Sequence, residues 1–353
     1  MKTYRIALLP GDGIGKEVIP AATKVLERSA EGFRLEFEPF EWGCEYYLGH
    51  GRMMPEDGLE LLRPFDAIFL GAIGHPSVPD HVSLRELLLR VRFGFDLYVN
   101  LRPIEILPGL ESPLKNKTAE HIHMLFIREN SEGEYAGLGG RFKRGTQDEV
   151  AIQQSVFTRR GVSRIIRYAF EQARRRPRKL LASATKSNAM QYTMVLWDEV
   201  LKEVGRDYQE VSVANYHVDA LAARMVTHPE SLDVVVASNL FADILTDLGA
   251  ALQGSLGLAA SANLNPSGQP TGPPMFEPVH GSAPDIAGRG IANPIAAIWT
   301  AALMLEHLGE TAAAARIMNA LRAVTAEKRV RTPDLGGRNS TKEFAAAVTT
   351  AMA

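Results

Sequence analysis

Cysteine is almost missing from this chain: Cys44 is the only one among 353 residues. A single thiol excludes an intrachain disulfide and any zinc or iron–sulfur site built on several cysteines, and a reducing, cytoplasmic setting is expected. A charge imbalance is missing too, since 39 basic residues face 41 acidic ones for a formal net charge of −2. No bulk field recruits nucleic acid or an anionic membrane, so a charged ligand has to be met by local groups. Long apolar runs are also lacking. The longest, "IAAIWTAALML", falls well short of the roughly 20 residues that a spanning helix needs, and "IALL" near the N-terminus is too short for the core of a signal peptide. Neither standard nucleotide fingerprint is present. The glycines of "GDGIGKE" fall at 11, 13 and 15, which does not give G-x-G-x-x-G. Counting back from Gly15-Lys16, the first P-loop glycine would fall on Pro10, and Glu17 replaces the required Ser or Thr. The stretch reads as a tight strand-to-helix turn lining a ligand cleft, and "GLGG" at 137–140 also reads as a turn.

What is present is ordinary globular composition, 46% hydrophobic and 23% charged, with length enough for two domains. "RIALLPGDGIGKEVIPAATKVLE" reads as strand, glycine turn and amphipathic helix. "FDAIFLGAIG", "HMLFIREN", "KLLASATKSN" and "LDVVVASN" are further short apolar strands ending in small or polar residues, and "AMQYTMVLWDEVLKEVG" has helical spacing. The alternation predicts an α/β protein with much parallel sheet, whose ligands sit at the carboxyl ends of the strands. Two stretches interrupt it: the proline- and glycine-rich segment 101–118, and a polar loop expected over 263–290. "ARRRPRK" at 173–179 reads as the solvated basic end of a helix.

The chemistry gathers just after the apolar runs. Asp243 and Asp247 in "NLFADILTDLG" are four apart, so both lie on one helix face and repel each other. A hard divalent cation with oxygen ligands offsets that repulsion, and Mg²⁺ or Mn²⁺ suits so small a donor set better than Ca²⁺. The bland alternative is a solvated helix face. What favours the metal is the position, at the carboxyl end of "DVVVAS". Asp219 is a third acid opening a helical stretch. Arg92, Arg102 and Arg128 each sit near the end of an apolar segment, and guanidinium forks grip carboxylates at two points, which points to a small dicarboxylic acid. Tyr135 and Lys186 are candidate proton-transfer groups; phenols and amines ordinarily titrate near about 10, so each needs tuning to work at neutrality.

In order along the chain, "LLPGDGIGKEV", "NLRP", "RENSEGEY", "NLFADILTDLGAALQGSLGLAASANL", "FEPVHGSAPDIAGRGIANP" and "TPDLGG" resemble the metal-dependent β-decarboxylating dehydrogenases, the isocitrate/isopropylmalate dehydrogenase family. The resemblance covers almost the whole chain. It implies a two-domain α/β fold with an open mixed sheet, flanking helices and no standard Rossmann fingerprint. Residues 1–98 and 254–353 would form the cofactor-binding domain and 99–253 an inserted substrate and dimerisation domain, with the active site in the cleft. It further implies a homodimer with shared sites, in which Lys186 and Asp219 reach the neighbouring subunit's site and Asp219 joins Asp243 and Asp247 around the metal. Arg92, Arg102 and Arg128 would clamp the substrate carboxylates. Lys186 would take the hydroxyl proton as hydride leaves for the nicotinamide, carbon dioxide would depart, and Tyr135 would protonate the enol. The cofactor would meet Ile14, Ile73, Asn188, His280, Gly281, Ser282, Ala283, Asp285, Ile286 and Asn293. A carboxylate at Asp285 repels a 2′-phosphate, so NAD is expected over NADP.

Within that family, substrate choice depends on the helix before the first arginine, here "DHVSLRELLLRVRF", which presents Ser83, Leu84 and Leu88. "DHVSL" resembles the tartrate and D-malate branch, and nothing there supplies an extra cation for a third carboxylate. D-malate or tartrate is therefore expected, with 3-isopropylmalate as the alternative because leucines can contact an isopropyl group. Isocitrate, or a non-catalytic dicarboxylate-binding subunit on the same fold, are the remaining readings.

Overall fold

The computed structural model describes residues 1–267 and 271–352. The chain divides into two compact units. Unit 1 comprises Met1–Leu97, Glu105–Ala119 and Ala250–Ala353, and unit 2 comprises Tyr98–Ile104 and Glu120–Gly249. Residues 105–119, which the sequence reading keeps with the insert, fold with unit 1.

The chain opens in unit 1 with β1 (Lys2–Gly11), α1 (Gly15–Ser29), β2 (Phe33–Pro39), α2 (Cys44–His50), α3 (Gly58–Leu62), β3 (Ala67–Ala72), α4 (Asp80–Ser83) and α5 (Arg90–Gly94). It crosses into unit 2 along β4 (Val99–Glu105), followed by β5 (His123–Glu129), a hairpin of β6 (Gly139–Phe142) and β7 (Val150–Gln153), α6 (Arg159–Arg175), β8 (Leu180–Thr185), α7 (Thr193–Gly205), β9 (Ser212–His217), α8 (Val218–Thr227), β10 (Val234–Ala237) and α9 (Asn239–Gln253). Unit 1 is completed by β11 (Ala260–Leu264), β12 (Met275–Pro278), α10 (Ile295–His307), α11 (Thr311–Glu327) and α12 (Thr341–Ala351).

Strand order is β2-β1-β3-β12-β11 in unit 1 and β4-β5-β10-β8-β9 in unit 2. In unit 1, β1 runs parallel to β2 and β3, and β12 runs parallel to β3 but antiparallel to β11. In unit 2, β5, β10, β8 and β9 are all parallel. The unbroken apolar runs have their cause here, because strands of a parallel sheet are covered on both faces. All six residues of β3 and all four of β10 are buried, and each fully buried valine of β10 stabilises the fold by about 1.5–3 kcal/mol. In α1, Val18, Ala22, Val25 and Ser29 recur at helical spacing on the buried face. The "IAAIWTAALML" run is α10, apolar all round because it is a central helix of unit 1, with ten buried residues. No helix among the described residues is long and apolar enough to cross a membrane.

Three sequence expectations need correction. The segment 263–290 is no continuous loop: it contains the end of β11 and all of β12, which pair from Asn263↔Met275 to Ala260↔Pro278, and its residues 268–270 lie outside the described residues. Alternation there was hidden because all four β12 residues are buried. Within "GLGG", Gly137 is a left-handed turn residue, but Gly139 and Gly140 begin strand β6. The basic run after α6 is structural. Arg176 Nε donates to buried Asp233 at 2.5 Å, and Arg178 donates to the carbonyls of Leu232 and Glu230 at 2.9 and 2.7 Å.

Candidate active site

Parallel strands deliver their following loops to one edge of the sheet, and the edge of unit 2 collects the predicted chemistry. Arg128 is the next-to-last residue of β5 and pairs in register with Ala237 of β10, so Asn239 at the start of α9 emerges beside it. Helix periodicity then places Asp243 and Asp247 one and two turns along α9.

Three side chains converge on Asp243. Arg128 Nη1 donates to its Oδ1, and Arg102 Nη2 approaches the same oxygen at 3.5 Å. Tyr135 Oη donates to Oδ2 at 2.9 Å, and the Arg128 guanidinium lies 5.5 Å from the Tyr135 ring centroid. Both arginines are buried, at 4% and 2% exposure, and each is gripped from behind by neutral acceptors. Arg102 donates through Nε to Asn100 Oδ1 at 2.6 Å and through Nη1 to Thr246 Oγ1 at 2.5 Å. Arg128 donates through Nε and Nη2 to Asn239 Oδ1 at 3.1 and 2.7 Å. Asp247 is exposed as a residue, yet partial desolvation of its carboxylate, then the Asp243 charge, push its pKa above the usual carboxylate range, against Arg102 and Arg128. A carboxylate pair in which one member is driven towards neutrality fits a divalent cation, which would relieve that repulsion.

Lys186, just past β8, donates to Asp219 Oδ1 at 2.6 Å; Asp219 sits in the first turn of α8. That hydrogen bond is the main reason the Asp219 carboxyl titrates below its ordinary range. Among the described residues no three His, Cys, Asp or Glu side chains are close enough together to hold a metal. The topology explains why Asp219 does not join the helix acids within one chain. In the order β5-β10-β8-β9, α9 follows β10 and α8 follows β9, two strand spacings of about 4.8 Å and so roughly 10 Å apart.

In unit 1, Arg92 is buried in α5 and paired with Glu277 Oε1 at 2.5 Å; Asn263 Nδ2 donates to the same oxygen at 2.8 Å. Ser83 is buried, its hydroxyl donating to the Asp80 carbonyl at 3.1 Å. Leu84 and Leu88, both half-buried, lie on a π-helical turn, Leu84–Leu89, a departure from α-geometry that recurs at functional sites.

The predicted cofactor residues of unit 1 largely come together. Gly13 carries a positive φ of 51°, and a Cβ there would lie 2.0 Å from the Ser282 carbonyl, so only glycine lets the turn after β1 close on this loop. Ile14 N donates to that carbonyl at 2.9 Å. A cavity of about 690 Å³ is lined by Ile73, His75, Asp80, Gly281, Ser282 and Ala283, among others. His280 Nδ1 lies 3.1 Å from the Gly281 carbonyl while its buried Nε2 has no hydrogen-bond partner among the described residues, and desolvation lowers the ring's pKa, a combination suited to a ligand. Asp285 is exposed and Ile286 half-buried. Asn293 has a structural role: its side chain donates to Asp334 at 2.8 Å and accepts from Ile295 N at 3.0 Å at the start of α10. Asn188 belongs to unit 2, exposed on the turn after β8.

Sequence reading missed the residues that hold the others in place: Asn100, Asn239, Thr246, Glu277 and buried Asp12, whose two carboxylate oxygens accept from Cys44 N and Gly74 N, both at 2.9 Å. Neutral amides and hydroxyls have no spacing signal. Only adjacency inside quoted motifs, Asn100 in "NLRP" and Asn239 in "NLFADILTD", pointed to them.

A family model described as isocitrate/isopropylmalate dehydrogenase matches residues 5–348. The chain is 54% identical over 357 residues to a protein named D-malate dehydrogenase [decarboxylating] from Escherichia coli (strain K12), covering 99% of this chain and 98% of that one. It is 52% identical over 347 residues to a probable tartrate dehydrogenase/decarboxylase from Bacillus subtilis (strain 168), covering 97% and 96% respectively. Among solved structures, isocitrate dehydrogenase from Methylococcus capsulatus superposes with a TM-score of 0.89 at 36% identity, over 99% of both chains.

Proposed function

The chain belongs to the isocitrate/isopropylmalate dehydrogenase family, and on that premise we propose that it oxidatively decarboxylates a small 2-hydroxy dicarboxylic acid, D-malate or tartrate, with NAD as acceptor and Mg²⁺ or Mn²⁺ as the metal. The observation that carries this reading is the convergence of Arg102, Arg128 and Tyr135 on Asp243, with Asp247 one turn away. Buried cations beside a carboxylate pair bind an anionic, metal-chelating substrate and little else.

Asp243 and Asp247 would hold the ion, completed by Asp219 of a second copy, and the loop 280–286 would hold the dinucleotide. When bound, the ion supplies electrophilic polarisation of the substrate's C2 oxygen and the nicotinamide supplies a hydride acceptor. The chain's own groups do the rest. Arg102 and Arg128 orient the carboxylates, and their fixed charge stabilises the electron density that builds up as carbon dioxide leaves. Lys186 of the second copy, 2.6 Å from its own Asp219, would accept the hydroxyl proton as the neutral amine. Tyr135 holds its proton at Oη, ready for the carbon that has lost carboxylate.

Association of two copies is supported by apolar side chains left in water on unit 2. Phe142, Ile152 and Ile244 are 66%, 55% and 61% exposed, and Ile244 directly follows Asp243 on α9. The proposed setting is the cytoplasm, where Cys44 stays a thiol. Similarity to proteins named for D-malate and tartrate favours a C4 acid; half-buried Leu84 and Leu88 make 3-isopropylmalate the second reading.

The test follows NADH absorbance with D-malate, tartrate, 3-isopropylmalate and isocitrate, each with Mn²⁺ and with chelator. Turnover of a C4 acid with the highest kcat/KM, abolished by chelator, is expected. Turnover of none, or turnover indifferent to chelator, refutes the reading.

A further inference from the structure

Arg128 lies next to the end of β5, and a long side chain there has rotamer freedom that binding must remove. The structure removes it in advance through one residue. Asn239 Oδ1 accepts from both Nε and Nη2 of Arg128, at 3.1 and 2.7 Å, which fixes the guanidinium plane and turns Nη1 towards Asp243. The other end of the same amide is also engaged: Asn239 Nδ2 donates to the Glu132 carbonyl at 3.2 Å, in the turn that leads to Tyr135. Asn239 is itself 1% exposed and begins α9, the helix that carries Asp243 and Asp247. One buried side chain therefore ties together the strand bearing the arginine, the turn bearing the tyrosine and the helix bearing the acids.

Chemistry explains why an amide stands there. A carboxylate at this position would hold the fork equally well but cancel its charge, and a guanidinium neutralised by an internal acid attracts a substrate carboxylate far less. The amide oxygen orients Arg128 and adds no second negative charge beside that of Asp243. Arg102 is treated alike by Asn100 and Thr246, both neutral acceptors.

We propose that Asn239 is a positioning residue that presents the Arg128 guanidinium, oriented and with no second carboxylate beside it, to the substrate's carboxylate. The inference rests on the reading that Arg128 clamps a dicarboxylate. Three variants separate the roles: Asn239→Ala loses orientation, Asn239→Asp keeps orientation but adds a second carboxylate to that of Asp243, and Arg128→Ala removes the target.

The experiment measures KM and kcat for the best acid of the panel, together with calorimetric affinity for that acid in the presence of Mn²⁺, on the full chain. Asn239→Ala and Asn239→Asp are each expected to raise KM and Kd about 10- to 100-fold, the range for losing a charge-assisted contact, with a smaller change in kcat. In the Arg128→Ala background, Asn239→Ala should change Kd by less than about twofold, because nothing remains to be oriented. Parent-like KM and Kd in both Asn239 variants would overturn the inference while leaving the proposed function standing. An equal fold-change with and without Arg128 would also overturn it, showing a merely structural role. A parent that neither binds nor turns over any acid of the panel removes both readings together.

Discussion

Tyr135 gives its hydroxyl hydrogen to Asp243 Oδ2 at 2.9 Å, so the phenol and the acidic helix share one short polar contact. That contact and the Arg128 guanidinium 5.5 Å from the ring fix where the hydroxyl sits, which supports its proposed part in proton delivery. Tyr135→Phe removes the donor and nothing of the ring packing. We expect kcat to fall about 10²- to 10⁴-fold with KM little changed, measured by steady-state kinetics. An unchanged kcat would take Tyr135 out of the proton transfer.

Asp247 yields a prediction in which a removal stabilises. Its carboxyl titrates above the usual range, through partial desolvation and then the Asp243 charge. The native state therefore holds more protons than the unfolded chain between the ordinary carboxylate pKa and the raised one. Stability present at low pH is lost as pH climbs through that window. Without metal, Asp247→Asn should melt above the parent at about pH 7, with the difference closing towards about pH 3. Added Mn²⁺ should raise the parent's melting temperature and raise the variant's less. A variant that melts below the parent at both pH values contradicts this.

Glu129 carries a stability prediction. Fully buried, with its pKa raised chiefly by burial, it nevertheless accepts from Ser131 N at 2.9 Å, Ser131 Oγ at 2.7 Å and Glu132 N at 2.8 Å. Glu129→Ala strands those donors, each at about 1–3 kcal/mol if it finds no water. Glu129→Gln keeps an acceptor and should lose less. Urea unfolding measures both, and an alanine variant as stable as the glutamine variant would show that the turn does not depend on this acid.

Arg92 and Glu277 are both buried, at 4% and 8% side-chain exposure, and 2.5 Å apart. Glu277→Ala leaves a buried guanidinium without its acid and should cost about 3–5 kcal/mol. Adding Arg92→Met to that variant removes the lone charge and should recover much of the loss. Denaturant midpoints decide it: a double variant no more stable than Glu277→Ala would mean that packing, and not the stranded charge, sets the penalty.

Asp285, exposed beside Ile286 on the loop lining the 690 Å³ cavity, is the proposed barrier to a 2′-phosphate. Asp285→Asn removes the negative charge and should raise the NADP-to-NAD ratio of kcat/KM at least about tenfold, chiefly by lowering KM for NADP. A ratio that stays put would place cofactor choice elsewhere.

Local pattern was enough for much of this protein. Apolar runs ending in polar residues marked β3, β5, β8 and β10; a four-residue interval put Asp243 and Asp247 on one face; a failed glycine fingerprint pointed away from a standard dinucleotide turn. These features were legible because period, length and residue type are properties of neighbours along the chain. Strand β12 and the glycine pair of "GLGG" were not, since β12 is wholly buried within a stretch rich in turn residues and glycines carry no side chain to alternate. Tertiary structure alone decided which groups meet: that Arg102, 141 residues from Asp243, shares its oxygen with Arg128; that Asn239 grips Arg128; that Glu277 neutralises Arg92, 185 residues away. Strand order likewise set Asp219 apart from the other two acids. Such partnerships arise from sheet topology and desolvation, which act across space and leave no trace in the order of residues.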